Sequence, residues 1–366
     1  MGEFNFDNSL LKDFAECIVR GVVKHRFGLR GKGEKIAADI GNAYHAALEL
    51  HFQGQSTPVV VERFKQEYDQ IIPPGQQPEE KRFERQNCID IMEQYCEVRP
   101  VEHYSFRPVS FEQVRGIELA RDEQGELVFW VKRDMLVEDK AGGQRYPLDH
   151  KTTGKVTAWW AKKFRQSSQL SGYAWFTRQE TGSPVGQVGV NAIEVAALPG
   201  SSKRCATHGV PYLQCRLDHC VFQVFTYERT EDQLEAWKRD AIELAKMART
   251  YMSVFQTIEM LRYAPRTGAF SESCIFCEVK DWCAAGFEPK MCEALTVYDP
   301  WTPWEKGKRI DRTAVAVQQV AAIPEPSPTF YGFEILTPGT DAWMQWWKDN
   351  PGHQRAMIDF QQRAGS

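Results

Sequence analysis

Asp134, in the run Trp130-Val131-Lys132-Arg133-Asp134-Met135-Leu136, is followed after a short turn by Asp149-His150-Lys151. With a hairpin turning at Gly142-Gly143, Asp134 lies across from Lys151. Asp149 then shares the face of Lys151, because side chains alternate along a strand. Two carboxylates and one ammonium converge. Carboxylate oxygens at close quarters repel unless a divalent cation sits between them, and Mg²⁺ favours such a partly hydrated, oxygen-rich site. The lysine can orient or help deprotonate an attacking water, or offset charge on a pentavalent phosphate. The reaction class is phosphodiester hydrolysis. A lone Asp-x-Lys triplet is more often a solvated hairpin, so the weight falls on its company.

Two further groups keep it company. Gly41-Asn42-Ala43-Tyr44-His45 sits in a helical stretch, with His45 beside the apolar stripe Ile40, Tyr44, Ala47 and Leu48. After the acid-lysine strand, Lys162, Lys163, Phe164 and Arg165 lead into Gln166, Gln169 and Tyr173, which recur at helical spacing on one face. Taken singly, a histidine on an alanine-rich helix is an ordinary packed or surface residue, and Gln169 with Tyr173 an ordinary half-buried face.

In this order, Gly-x-x-x-His, Asp, Asp-x-Lys-Thr and Gln-x-x-x-Tyr resemble the RecB-like branch of the PD-(D/E)xK nucleases. The resemblance implies that His45, Asp134, Asp149 and the carbonyl of His150 hold Mg²⁺ or Mn²⁺. It makes Asp134, Asp149 and Lys151 the catalytic set, and has Gln169 and Tyr173 contact DNA or brace the site. Glu112 answers to a further family acid, with Glu118 competing for that role; no proline precedes Asp134, a departure the branch tolerates. The implied fold is α/β (α+β): a restriction-endonuclease-like core, with a central mixed sheet flanked by helices, a helical N-terminal part and a cluster-tethered C-terminal part. The implied activity is that of a DNA exonuclease preferring single-stranded ends, with endonuclease activity as a companion, in recombination, repair or phage DNA processing. The alternative is a DNA-binding or recombination-partner module of the same fold that cuts only beside a helicase or annealing protein. A zinc-stabilised structural protein with an incidental acid-lysine hairpin is the other rival.

Ten cysteines in a chain without an export signal point to metal or cluster ligation rather than disulfides. Cys274-Ile275-Phe276-Cys277 followed by Cys283 resembles the C-x₂-C-x₅-C run of the iron-sulfur nucleases of this superfamily, CRISPR-associated and phage-encoded exonucleases among them. In those proteins the fourth ligand comes from the first helix, where Cys17 stands here. Four thiolates hold either a [4Fe-4S] cluster or Zn²⁺, and spacing alone does not choose; the resemblance favours the cluster. Its expected role is to tie residue 17 to residues 274–283. A second group, Cys205, His208, Cys215, His219 and Cys220, has the irregular spacing of a small zinc knuckle, for which Cys205, His208, Cys215 and Cys220 are the expected ligands. Cys88, Cys96 and Cys292 read as ordinary thiols.

DNA contact is expected locally, because a formal net charge of -4 excludes a general basic coat. From Lys151 to Arg178 no acid occurs, and Lys155, Lys162, Lys163 and Arg165 are interleaved with Trp159, Trp160 and Phe164. Backbone attraction and base stacking can act together there, without reading sequence.

The elements that must position these groups follow from periodicity. Residues 8–52 read as helical, 56–100 as a helical insert broken at Pro73-Pro74-Gly75, and 108–153 as three antiparallel strands. A helix over 158–178 and a strand over 185–196 come next. A long helix then starts at Thr230, whose hydroxyl caps the first turn while Gln233 reaches back, and ends before Pro265. Composition turns to proline and tryptophan after Cys292, so the nuclease-like domain is expected over 1–295. An extension over 296–366 follows, with one helix at 340–362 and tryptophans (Trp301, Trp304, Trp343, Trp346, Trp347) suited to docking a partner. The 42% hydrophobic and 26% charged content is that of a soluble chain, and no apolar run nears the about 18 residues of a membrane helix. The opening MGEFNFDNSLLKDF lacks a basic n-region before an apolar core, so the expected location is cytoplasmic.

Overall fold

The computed structural model describes residues 2–32, 36–198 and 203–309. In chain order the elements are β1 (Gly2–Asp7), α1 (Asn8–Glu16), α2 (Ile18–Gly21), β2 (Leu29–Gly31), α3 (Ile36–Phe52), α4 (Thr57–Ile71) and α5 (Arg85–Val98). Then come β3 (Phe106–Asp122), β4 (Gly125–Asp139), β5 (Arg145–Thr153), α6 (Ala158–Lys162), α7 (Ser168–Thr181) and β6 (Gln187–Glu194). The last are α8 (Tyr212–Cys215), β7 (Phe222–Glu228), α9 (Glu231–Val254), α10 (Lys280–Ala284), α11 (Pro289–Leu295), β8 (Thr296–Tyr298) and β9 (Lys308–Arg309).

The architecture is mixed α/β, with a central mixed sheet flanked by helices. Strands run in the order β7-β6-β5-β4-β3-β9, with β1 added beside β4. The three strands expected over 108–153 form the antiparallel β3-β4-β5, and β5 pairs in parallel with β6. One edge of β4 serves two strands in turn: Gly125–Trp130 pairs with β1, and Met135–Glu138 pairs with β5. Between Trp130 and Met135 neither strand is paired to that edge, so the sheet splits at the stretch that carries Asp134.

The two faces of β4 meet different helices, as alternation requires. Arg133 turns to α7, donating to Thr177 Oγ1 at 2.9 Å and pairing with Glu180 at 2.9 Å. Phe129, on that face, packs 5.1 Å from the ring of Trp237 on α9. Asp134 turns the other way, towards His45 on α3.

Several boundaries differ from the sequence expectation for local reasons. The β4-β5 hairpin turns one residue early, because Asp139 Oδ1 accepts from the amides of Ala141 and Gly142 and closes the turn against Gln144. The register becomes Met135 opposite Leu148, so Asp134 does not lie across from Lys151. The helix expected over 158–178 breaks at Ser167, whose hydroxyl caps α7 through Leu170 N. Thr230 and Gln233 form the expected reciprocal cap, but α9 ends at Val254, and Ile258–Tyr263 continue as a 3₁₀ turn. Within the helical stretch 8–52, Leu29–Gly31 is a strand paired with β8.

The boundary expected near 295 falls between α11 and β8, and paired strands continue beyond it. Trp301 Nε1 donates to Asp7, and Arg309 pairs with Glu3, Glu118 and Glu126. The helix expected over 340–362, with Trp343, Trp346 and Trp347, lies outside the described residues. Among the described residues no helix is long and apolar enough to cross a membrane.

Candidate active site

The site forms where the sheet splits. Past the last β4-β5 pair, the amide of His150 donates to Asp134 Oδ2 at 2.7 Å, so a side chain rather than the strand ladder joins the two segments. His45 Nδ1 approaches the other oxygen of Asp134 at 3.4 Å. Helix α3 comes this close to β5 because residue 41 is glycine: a Cβ there would stand 3.1 Å from Thr152 Oγ1. The Gly-x-x-x-His spacing thus has a physical reason, the small residue seating the helix one turn before the imidazole.

Asp149 is 1% exposed, and Lys151 Nζ lies 2.7 Å from its Oδ2. This buried oxygen has the ammonium as its ionic neighbour. Burial pushes the Asp149 carboxyl up to about 6, with Lys151 opposing and Asp134 adding to the rise. Burial also opposes charge on the half-buried Asp134, yet His45 and then His150 and Lys151 hold it well below the usual carboxylate range. Burial works against charge on His45, but the Asp134 carboxylate outweighs it and raises the imidazole's pKa. Burial likewise disfavours charge on Lys151, and Asp149 and Asp134 reverse this.

The imidazole of His150 lies edge-on to that of His45, with ring centroids 5.7 Å apart. Its Nδ1 meets Asn191 Nδ2 at 3.0 Å, its ring stacks on Phe52 at 5.5 Å and 15°, and burial pushes its pKa down to about 3. Asn191 also donates to Tyr95 Oη at 2.8 Å. This Tyr95-Asn191-His150 chain fixes the main chain between Asp149 and Lys151, and no motif in the sequence signalled it.

Gln169 and Tyr173 brace the split. Gln169 Nε2 donates to Tyr173 Oη at 2.8 Å, and that hydroxyl donates to the carbonyl of Lys132 at 2.8 Å, on the stretch of β4 that pairs with neither β1 nor β5. Tyr173 is buried, so of the two roles expected for it, contact with DNA or bracing, the geometry is that of a brace. Glu112 lies between the pairs Phe111-Met135 and Gln113-Arg133, hence across from Asp134, and binds Lys132 Nζ at 2.6 Å. Glu118, its competitor, pairs instead with Arg121 and Arg309.

Lys155, Lys162, Lys163 and Arg165 are exposed, and Trp159 is 80% exposed beside them. Trp160 and Phe164 pack against each other at 4.8 Å, with Lys163 Nζ 4.9 Å from both rings. Partial burial and then Lys151 lower the pKa of Lys163, so this basic strip borders the acid-lysine site.

Cys17 is buried against Gly268, and Ile18 N donates to Thr267 Oγ1 at 3.1 Å. Burial raises the pKa of Cys283, with Arg266 opposing and then Cys17, Cys277 and Cys274 adding to the rise, so these thiols lie in one neighbourhood. Near it, Asp13 binds Arg20 and Lys24 at 2.8 Å and His25 at 2.9 Å, and Lys24 reaches on to Glu278. Of the second group, Cys205, His208, Cys215 and His219 have ligand atoms all within 4.8 Å of one another. Cys220, expected as the fourth ligand there, packs against the hydrophobic core instead, and His219 takes its place.

The donor set fits a divalent cation: a buried and a half-buried carboxylate on the two sides of the split, and a histidine 3.4 Å from one of them. The family model of the PD-(D/E)XK nuclease superfamily matches residues 8–284, a span from α1 to α10 that includes all of these groups. No curated protein matches the chain. The match, the mixed sheet and the acid-lysine pair at its split agree: the chain belongs to the PD-(D/E)XK nuclease superfamily, whose members are in general metal-dependent nucleases.

Proposed function

We propose that the protein is a DNA exonuclease of the RecB-like branch, acting on single-stranded or free ends. The observation that carries this is the meeting of Asp134, Asp149, Lys151 and His45 at the split sheet beside an exposed basic and aromatic strip. His45, Asp134, Asp149 and the carbonyl of His150 would hold Mg²⁺ or Mn²⁺, which supplies Lewis acidity toward the scissile phosphate. An imidazole in the set favours Mn²⁺ more than an all-oxygen site would.

The chain's own residues do the rest. Lys151, kept cationic by its two acids, offsets the charge that builds on the phosphate and orients the attacking water. Lys155, Lys162, Lys163 and Arg165 attract the backbone, and Trp159 offers a stacking face to an unpaired base. Tyr173 and Gln169 keep β4 in place beneath the reacting groups.

Cys17, Cys274, Cys277 and Cys283 would hold a [4Fe-4S] cluster. The resemblance of the C-x₂-C-x₅-C run, with Cys17 at the end of the first helix, is what favours the cluster over Zn²⁺ at these thiols. The pathway would be recombination, repair or phage DNA processing in the cytoplasm, with a helicase or annealing protein as partner.

The test is degradation of end-labelled single- and double-stranded DNA by anaerobically purified protein with Mg²⁺ or Mn²⁺, beside Lys151→Ala and an absorbance spectrum. Metal-dependent shortening from an end, lost in the variant, is the expected result. Brown, folded, metal-loaded protein that leaves every substrate intact would overturn the reading in favour of a binding module.

A further inference from the structure

Between β6 and β7 the chain makes a compact knuckle unrelated to the acid-lysine site. Cys205 N donates to Val210 O at 2.7 Å, Gly209 N returns to Cys205 O at 2.9 Å, and Gly209 takes the φ of +68° that the reversal requires. Arg204 pairs with Pro211 across its base, and Tyr212 N donates to Lys203 O at 2.9 Å. This turn sets Cys205 and His208 side by side, and α8 with the turn after it brings Cys215 and His219 to meet them.

The distances carry the argument. Cys205 Sγ lies 3.6 Å from His208 Nδ1 and 3.5 Å from His219 Nε2, and Cys215 Sγ lies 3.5 Å from His219 Nε2. Zn–S bonds of about 2.3 Å and Zn–N bonds of about 2.0–2.1 Å give a sulfur-nitrogen edge of about 3.5 Å in a regular tetrahedron. Both sulfurs are nearly withdrawn from solvent, at 2% exposure each. Two thiolates and two neutral imidazoles would leave a Zn²⁺ site without net charge, which a buried site tolerates.

We propose that Cys205, His208, Cys215 and His219 bind a structural zinc ion that fixes the β6-β7 connection at the catalytic end of the sheet. Strands β5 and β6 run parallel, with Lys151 opposite Ala192, so the chain leaves β6 where β5 presents its lysine. Val195 N donates to Thr153 O at 2.7 Å, and the Asn87 side chain of α5 bonds both Ala196 O and Leu198 N at 2.9 Å. On the return, Arg216 pairs with Asp90 of α5 at 2.9 Å. The ion would hold together a segment that spans from the edge of the active site to α5 and back. This site is separate from the Cys17 group, and the proposal stands whether or not the protein cuts DNA.

The experiment uses the full chain, stripped with a chelator under reducing conditions and reloaded with Zn²⁺, with metal analysis on folded protein checked by circular dichroism. One zinc per chain, tetrahedral Co²⁺ bands with thiolate charge transfer on substitution, and retention of any iron are expected. His219→Ala should lose that zinc and make residues 203–220 more sensitive to protease, while His219→Cys, which restores a ligand, should keep it. Folded protein that takes up no zinc, zinc undiminished in a folded His219→Ala, or a Cys205-Cys215 disulfide in the protein as purified would each overturn the assignment.

Discussion

The amide of His150 donates a 2.7 Å hydrogen bond to Asp134 Oδ2, so a carboxylate on β4 holds the segment of β5 that carries Lys151 after the two strands have stopped pairing. Asp134 therefore has two separable duties, and two substitutions tell them apart. Asp134→Asn keeps an acceptor for the amide and should retain most stability while cleavage falls on the order of 10³-fold. Asp134→Ala should lose the same activity and, in urea unfolding, a further about 1–3 kcal/mol for the buried donor left unpaired.

Lys151→Met should abolish cleavage and change the site's charge. Asp149 would lose the cation that opposes burial, and its carboxyl, already pushed up to about 6, would rise further. A carboxyl with a raised pKa is neutral over a wider range, so Mn²⁺ binding by the variant should shift to higher pH. Titration of Mn²⁺ affinity against pH in wild type and variant measures the shift.

Gly41→Ala is a test of close packing. In a helix interior the change alone would favour folding by about 1 kcal/mol. Here the new methyl meets Thr152 Oγ1 at 3.1 Å, so α3 must back away and carry His45 with it. Stability should change little while cleavage drops, and Gly41→Ala with Thr152→Ala should recover activity beyond the sum of the single effects.

Asp13 sets an acid limit. Burial opposes its charge, but His25, Lys24 and Arg20 bring the carboxyl down to about 2 from 3.8. The folded value lies below the unfolded one, so this contribution is complete above pH 3.8 and is lost as pH falls through the folded value. Asp13→Asn should cost at least about 2 kcal/mol at neutral pH, and its unfolding free energy should vary less with pH in that acid range.

Trp159→Ala should leave the fold intact, since the ring is 80% exposed, and weaken single-stranded DNA binding by about 1–3 kcal/mol. Lys162→Ala with Arg165→Ala should instead flatten the salt dependence of binding. Equilibrium binding at several salt concentrations, without divalent metal, reads both.

The motif residues were legible because each type is demanded by chemistry, and local order survived folding: Thr230 and Gln233 cap α9 as their spacing says. The register was not legible, because the side-chain turn at Asp139 moved the hairpin by one residue. Strand β1 was not expected, since the first element was placed from residue 8 on, and its parallel partner, β4, is fixed by the tertiary fold. The Tyr95-Asn191-His150 chain joins residues from α5, β6 and β5, a proximity no local pattern encodes. His219 displaced Cys220 from the knuckle because Cys220 already heads into β7 and the core.

The contact of Ile18 with Thr267 closes a separation of 249 residues, next to Cys17. At a synthesis rate of about 5–20 residues per second, the N-terminal side of this contact leaves the ribosome on the order of tens of seconds before its partner. During that interval the thiol of Cys17 cannot be sheltered by Gly268 or joined to the later cysteines. Assembly of this end of the molecule therefore waits for the later segment to emerge, and its yield depends on how well a nascent thiol is protected from oxidants.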